Sequence, residues 1–140
     1  MLSSSVLGLL TVGLASAQPG FNAHLSTVPI DSRSQAQITG HGMASASLTG
    51  RALSLSGSFE GLQGAASGAQ LHMGPATGVR GPAILDIEVT HAANGTLSAS
   101  LELDASQVEA LRAGRLYVQI DSESAPEGNL WGWLLPQKRR

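Results

Sequence analysis

The segment Ala52-Leu53-Ser54-Leu55-Ser56-Gly57-Ser58-Phe59 alternates apolar and polar residues with a period of two. Leu53, Leu55 and Phe59 then lie on one face and the serines on the other, as in a strand with one buried side. Strands of the same kind are expected over Phe21–Leu25, Ala36–Leu48, Ala69–Met73, Ala83–Val89, Thr96–Leu103, Leu116–Ile120 and Asn129–Leu135. The intervening stretches are rich in turn residues: Thr49-Gly50-Arg51, the Gly- and Pro-rich Gly74–Pro82, Asn94-Gly95 and Asp121–Gly128. Gly40 and Gly42 flank His41, a pattern that predicts a bulge or bend. Such a chain folds as an all-β domain, an antiparallel sandwich or Greek-key-like barrel of about eight strands.

The period changes once. Asp104-Ala-Ser-Gln107 has the form of a capping box, Val108 and Leu111 share a stripe, and Gly114 follows. This predicts one short helix near Ser106–Ala113, too small to form a layer of its own.

Composition bounds the remaining possibilities. Charged residues are 13%, hydrophobic residues 42%, and Gly contributes 17 of 140 positions. That is too apolar and too weakly charged for disorder. Three of the eight basic residues are Lys138, Arg139 and Arg140, so the remainder carries a net charge of −5. An acidic body argues against a nucleic-acid partner, which requires a basic face. The absence of cysteine rules out disulfides, thiol catalysis and thiolate zinc sites.

Residues 1–17 read as an export signal: Val6–Leu14 is an apolar run of nine, and Ala15-Ser16-Ala17 is a small-residue cleavage site. The run is shorter than the roughly 20 residues of a membrane span. The expectation is a secreted or periplasmic protein with no transmembrane anchor after cleavage, a β domain over 18–136 and a basic tail over 137–140.

Taken together, the segments resemble the CHRD domain, the module named after chordin. Phe21-Asn-Ala-His-Leu-Ser with Val28-Pro29 and Ala36–Gly42 resembles the family's opening strand, its Pro and its Gly-containing second strand. Ala69-Gln-Leu-His72-Met-Gly74, followed by Gly81-Pro82, resembles its Ala-His-Ile-His-x-Gly motif. Leu116-Tyr-Val-Gln-Ile-Asp121, Pro126 and Gly128-Asn-Leu-Trp-Gly132-Trp-Leu resembles its closing strands. The resemblance implies an all-β fold and a secreted protein, and places the His72 strand beside that of Asp121. The family pattern has histidine where this chain has Gln70 and Asp121. The paired-histidine motif is in turn remotely similar to the copper-binding strand of copper/zinc superoxide dismutases.

Two readings of these positions stay open at the level of sequence. Gln70 and His72 leave the same face of a strand, and with Asp121 and water they would form a weak copper or zinc site. Alternatively, His72 and Asp121 form a hydrogen-bonded pair that fixes two strand ends. Trp131 and Trp133 share a face of the last strand. They are expected to point inward as core; outward, with Tyr117, they would make an aromatic platform for a sugar or a partner protein. His24, His41 and His91 are expected at the surface, and Asp86 and Glu88 as solvated acids. Neither a nucleophile elbow nor a phosphate-cradling loop is present. The reading that follows is a non-enzymatic binding or structural module with Gln70, His72, Tyr117, Asp121, Trp131 and Trp133 as candidate binding residues. The alternatives are a superoxide-dismutase-like metal protein using His72 and Asp121, and a carbohydrate or cell-envelope adhesion module; the partner is a protein or a polysaccharide.

Overall fold

The computed structural model describes residues 20–29 and 38–137. The expected export signal, the segment 30–37 and the residues 138–140 of the basic tail lie outside the described residues. Among the described residues nine strands follow in chain order: β1 (Gly20–Thr27), β2 (His41–Thr49), β3 (Ala52–Glu60), β4 (Ala66–Met73), β5 (Ala83–Val89), β6 (Gly95–Glu102), β7 (Leu116–Ser122), β8 (Leu130–Trp133) and β9 (Leu135–Pro136). All pairings are antiparallel, in the spatial order β2-β3-β6-β5-β4-β7-β8-β1, and β1 also pairs with β2. The sheet therefore closes on itself as an eight-stranded barrel. The short β9 continues the line of β8 and pairs with Phe21 and Asn22.

The connectivity is Greek key. β4, β5 and β6 are successive neighbours, and β7 returns to lie against β4. β1 and β5 each divide their pairing: β1 joins β2 along Gly20–Leu25 and β8 at Ser26 and Thr27, while β5 joins β4 and then β6 at Glu88 and Val89. These two shared strands turn what would be a two-sheet sandwich into a barrel.

The alternation seen in the sequence sets the inside. Leu53, Leu55 and Phe59 from β3, Leu71 from β4, Leu97 from β6, Val118 and Ile120 from β7 and Leu130 from β8 meet in one core. Outward positions of β2, β3 and β6 form rows of hydroxyls, Ser45–Ser56–Ser98 and Ser47–Ser54–Ser100. With no disulfide available, this packing and the closed hydrogen-bond ladder hold the fold.

Helix α1 (Ala105–Arg112) bridges β6 to β7 and buries Ala110 and Leu111 in the same core. The Asp104 carboxylate accepts the Gln107 N–H at 2.8 Å, and the Gln107 side chain accepts the Asp104 N–H at 2.9 Å. Hydrogen bonds from the Gln107 backbone and the Ser106 hydroxyl hold the Asp104 carboxyl below the usual carboxylate range. Gly114, at φ 75°, supplies the left-handed residue that ends the helix.

Three boundaries differ from expectation. The bulge predicted around His41 is absent: pairing runs unbroken through His41↔Glu60 and Gly42↔Phe59. The two glycines serve other ends. Gly40 takes φ 112° where the chain enters β2, and a Cβ at Gly42 would collide with the Ser58 carbonyl oxygen. Asp121, expected to open a loop, lies within β7 and opposite Gly68. The Asn94-Gly95 pair sits at the end of the β5–β6 connection, where the Asn94 side chain accepts the Gly61 N–H at 2.8 Å.

Candidate functional site

Strand alternation on β4, β7 and β8 places a second set of large side chains on the outside of the barrel. The register aligns them in rows: Gln70, Gln119 and Trp131 in one, His72, Tyr117 and Trp133 in the next. Val118, Ile120, Leu130 and Leu134 occupy the intervening inward positions.

The expectation that Trp131 and Trp133 form core is therefore corrected: both are half-buried on the outer face. The reason lies at Gly132, the inward position between them. A Cβ there would stand 2.6 Å from the His24 carbonyl oxygen and 2.7 Å from the Leu25 side chain. β8 approaches β1 too closely for any side chain at that point, so the indoles must take the outward phase.

Outside, the rings pack on each other. Tyr117 stacks on His72 with centroids 4.8 Å apart and lies 4.3 Å from Trp133. The Trp131 ring meets Tyr117 edge-on at 5.4 Å and Trp133 at 5.5 Å. The Arg80 guanidinium sits 5.4 Å above the Trp131 ring, within cation–π range. Tyr117 is only 1% exposed, because the indoles and the loop 74–82 cover it. Its hydroxyl donates to the Gly81 carbonyl and accepts the Gly81 N–H, both at 3.0 Å.

A polar chain runs beside the rings. His72 Nδ1 faces the Gly81 carbonyl at 2.9 Å, and its Nε2 faces Gln70 Oε1 at 3.2 Å. Gln70 Nε2 donates to Asp121 Oδ2 and Gln119 Nε2 to Asp121 Oδ1, each at 2.9 Å. Gly68, opposite Asp121, leaves Gln70 room to lean across. Gln70 and Asp121 are thus bonded directly to each other. His72 and Asp121 are linked through Gln70 and are not a direct pair, as one sequence reading had them.

This arrangement does not fit copper or zinc. Both ring nitrogens of His72 face oxygens at hydrogen-bond distance, so a metal would have to displace the Gly81 carbonyl or the Gln70 side chain to reach either one. Both oxygens of Asp121 are taken by amide N–H donors. Among the described residues, no group of three or more His, Cys, Asp or Glu could hold a metal ion.

The structure adds members that sequence reasoning missed. Gln119 is 6% exposed on this outer face, under the loop that contributes the Glu127 carbonyl at 3.4 Å. Its Oε1 is buried without a partner. Its place between Tyr117 and Asp121 at period two was the available signal. Arg80 and Gly81 carried no such signal, since they arrive from a loop. His24, His41 and His91 are exposed as expected; His41 meets Glu60 at 3.1 Å across the β2–β3 ladder.

A comparison with protein families matches residues 21–134 to the CHRD domain. Comparisons with curated proteins and with solved structures find no match.

Proposed function

The chain belongs to the CHRD domain family, and from that membership and the geometry of the outer face we propose that it is an exported, non-enzymatic binding module. Its partner-facing surface is the outside of β4, β7 and β8, with Gln70, His72, Asp121, Trp131 and Trp133 as its central residues and Tyr117 buried beneath them as their support.

One observation carries the reading. Of five aromatic residues, Phe21 and Phe59 fill the core, and the other three gather in one cluster outside it. Indoles left half in water forgo about 25 cal/mol for each Å² of apolar surface that burial would have removed. Tyrosine, tryptophan and arginine side by side are the residues that dominate binding hot spots. The polar chain beneath is bonded at nearly every atom, which holds the rings in one preorganised arrangement. The sequence of residues 1–17 supports export. No helix among the described residues is long and apolar enough to cross a membrane.

The test has two parts. Protein recovered from the medium or periplasm is sequenced from its N-terminus, with Gln18 expected first; a chain starting at Met1 contradicts export by this signal. Immobilised wild type and Trp131→Ala, matched by circular dichroism, are then compared for capture of native envelope material. Equal capture by both removes the outer face from the function.

A further inference from the structure

Trp133 has a second neighbourhood, on the side away from the Tyr117 ring. There it walls a groove of about 730 Å³ over β1, β2 and β3, within the range typical of small-ligand sites. The registers give its plan. Trp133 and Leu135 form one raised side, and the floor is a grid of outward residues: Asn22 and His24, then Met43 and Ser45, then Ser56 and Ser58. Met43 is 59% and Leu135 46% exposed, the two large hydrophobic residues left most open here.

We propose that this groove binds a neutral glycan chain, an inference that rests on the binding-module reading and names its ligand class. Among the described residues the lining holds no Asp, Glu, Lys or Arg, and His24 is its one titratable side chain, so a charged ligand would find no permanent counter-charge there and would lose hydration with little compensation. What the lining does offer alternates: an indole, a thioether and a leucine side chain among hydroxyls, one amide and the His24 imidazole. A pyranose ring has the same two faces, C–H groups on its flats and hydroxyls round its rim.

Other occupants fit less well. A peptide that binds by adding a strand needs an unpaired edge, and the described strands close into a barrel. A lipid tail needs continuous apolar surface, which Ser45, Ser56 and Ser58 interrupt. A folded protein needs roughly 800 Å² per partner. The floor spans three strands and two outward positions on each, roughly 10 by 7 Å from ordinary strand spacings. The groove also lies free of the Arg80 side chain that covers the neighbouring Trp131 ring.

Calorimetric titration of the full mature chain with cellohexaose and chitohexaose, and with polygalacturonate as the charged comparison, tests this. At least one neutral hexamer is expected to bind with a Kd between micromolar and millimolar, and the polyanion is not. Met43→Glu is expected to weaken binding at least tenfold. Thr49→Glu, the same charge on an exposed position of β2 outside the groove, is expected to leave it unchanged. Binding of the polyanion alone, of neither neutral chain, or of a neutral chain that ignores Met43→Glu overturns the inference. If the inference fails while Trp131→Ala still abolishes envelope capture, the binding-module reading survives. If both fail, that reading falls with it.

Discussion

Replacing Tyr117 by phenylalanine removes one oxygen from the middle of the outer cluster and leaves the ring. That oxygen makes two hydrogen bonds to one residue, donating to the Gly81 carbonyl and accepting its N–H, both at 3.0 Å. The carbonyl keeps His72 Nδ1 at 2.9 Å as a partner, whereas the Gly81 N–H loses the Tyr117 oxygen and is half-buried. Each bond contributes about 0.5–1.5 kcal/mol net, so the substitution should cost about 1–3 kcal/mol. The stacking on His72 and the contacts with the indoles survive, so no cavity cost is added. Urea unfolding followed by Trp emission measures it; the midpoint should fall with the slope unchanged. Amide exchange at Gly81 should quicken in the same variant, because the loop 74–82 is anchored there. Tyr117→Ala also removes the ring and should cost about 3–5 kcal/mol, the figure for a buried aromatic. A cost below about 0.5 kcal/mol for Tyr117→Phe, with exchange at Gly81 unaltered, would refute the claim that this hydroxyl fastens the loop.

Three further outcomes are expected. Leu55→Ala, at a position 2% exposed in the core, should cost about 2–5 kcal/mol in the same assay; under half a unit would invert the face assigned to β3. Because hydrogen bonds lower the Asp104 carboxyl in the folded state, its contribution is present above the usual aspartate value of about 3.9. It is lost as the pH falls through the lowered folded value. Asp104→Asn, which can still cap the helix, should remove this acid dependence from unfolding curves, and an unaltered pH profile would contradict the assignment. Zinc or copper titrated into the protein should show no site tighter than about millimolar, roughly −4 kcal/mol. A stoichiometric metal lost on His72→Ala would show that Gln70 and Asp121 can release His72.

Much of the fold was legible along the chain because strand alternation and turn chemistry are local. Leu53, Leu55 and Phe59 declared an inner face by spacing alone, and Asp104 with Gln107 declared a helix start three residues apart. The family likewise followed from the order of short motifs, and matches over residues 21–134. Within the site, spacing put Gln70 with His72 and Trp131 with Trp133 on common faces. What spacing leaves undetermined is which common face points inward. For β8 that choice was made by Gly132 against His24 and Leu25, residues more than a hundred positions apart in sequence. The same holds for the polar chain. Asp121 reaches Gln70 because β7 pairs with β4 and Gly68 stands opposite it. Closure of the barrel was likewise invisible locally, since it depends on β1 and β5 each pairing on both sides. The sequence by itself thus determined the strands, the helix and the family. The tertiary structure decided that three aromatic rings lie outside and that His72 and Asp121 are tied up by amides, because those outcomes are settled by contacts between distant strands.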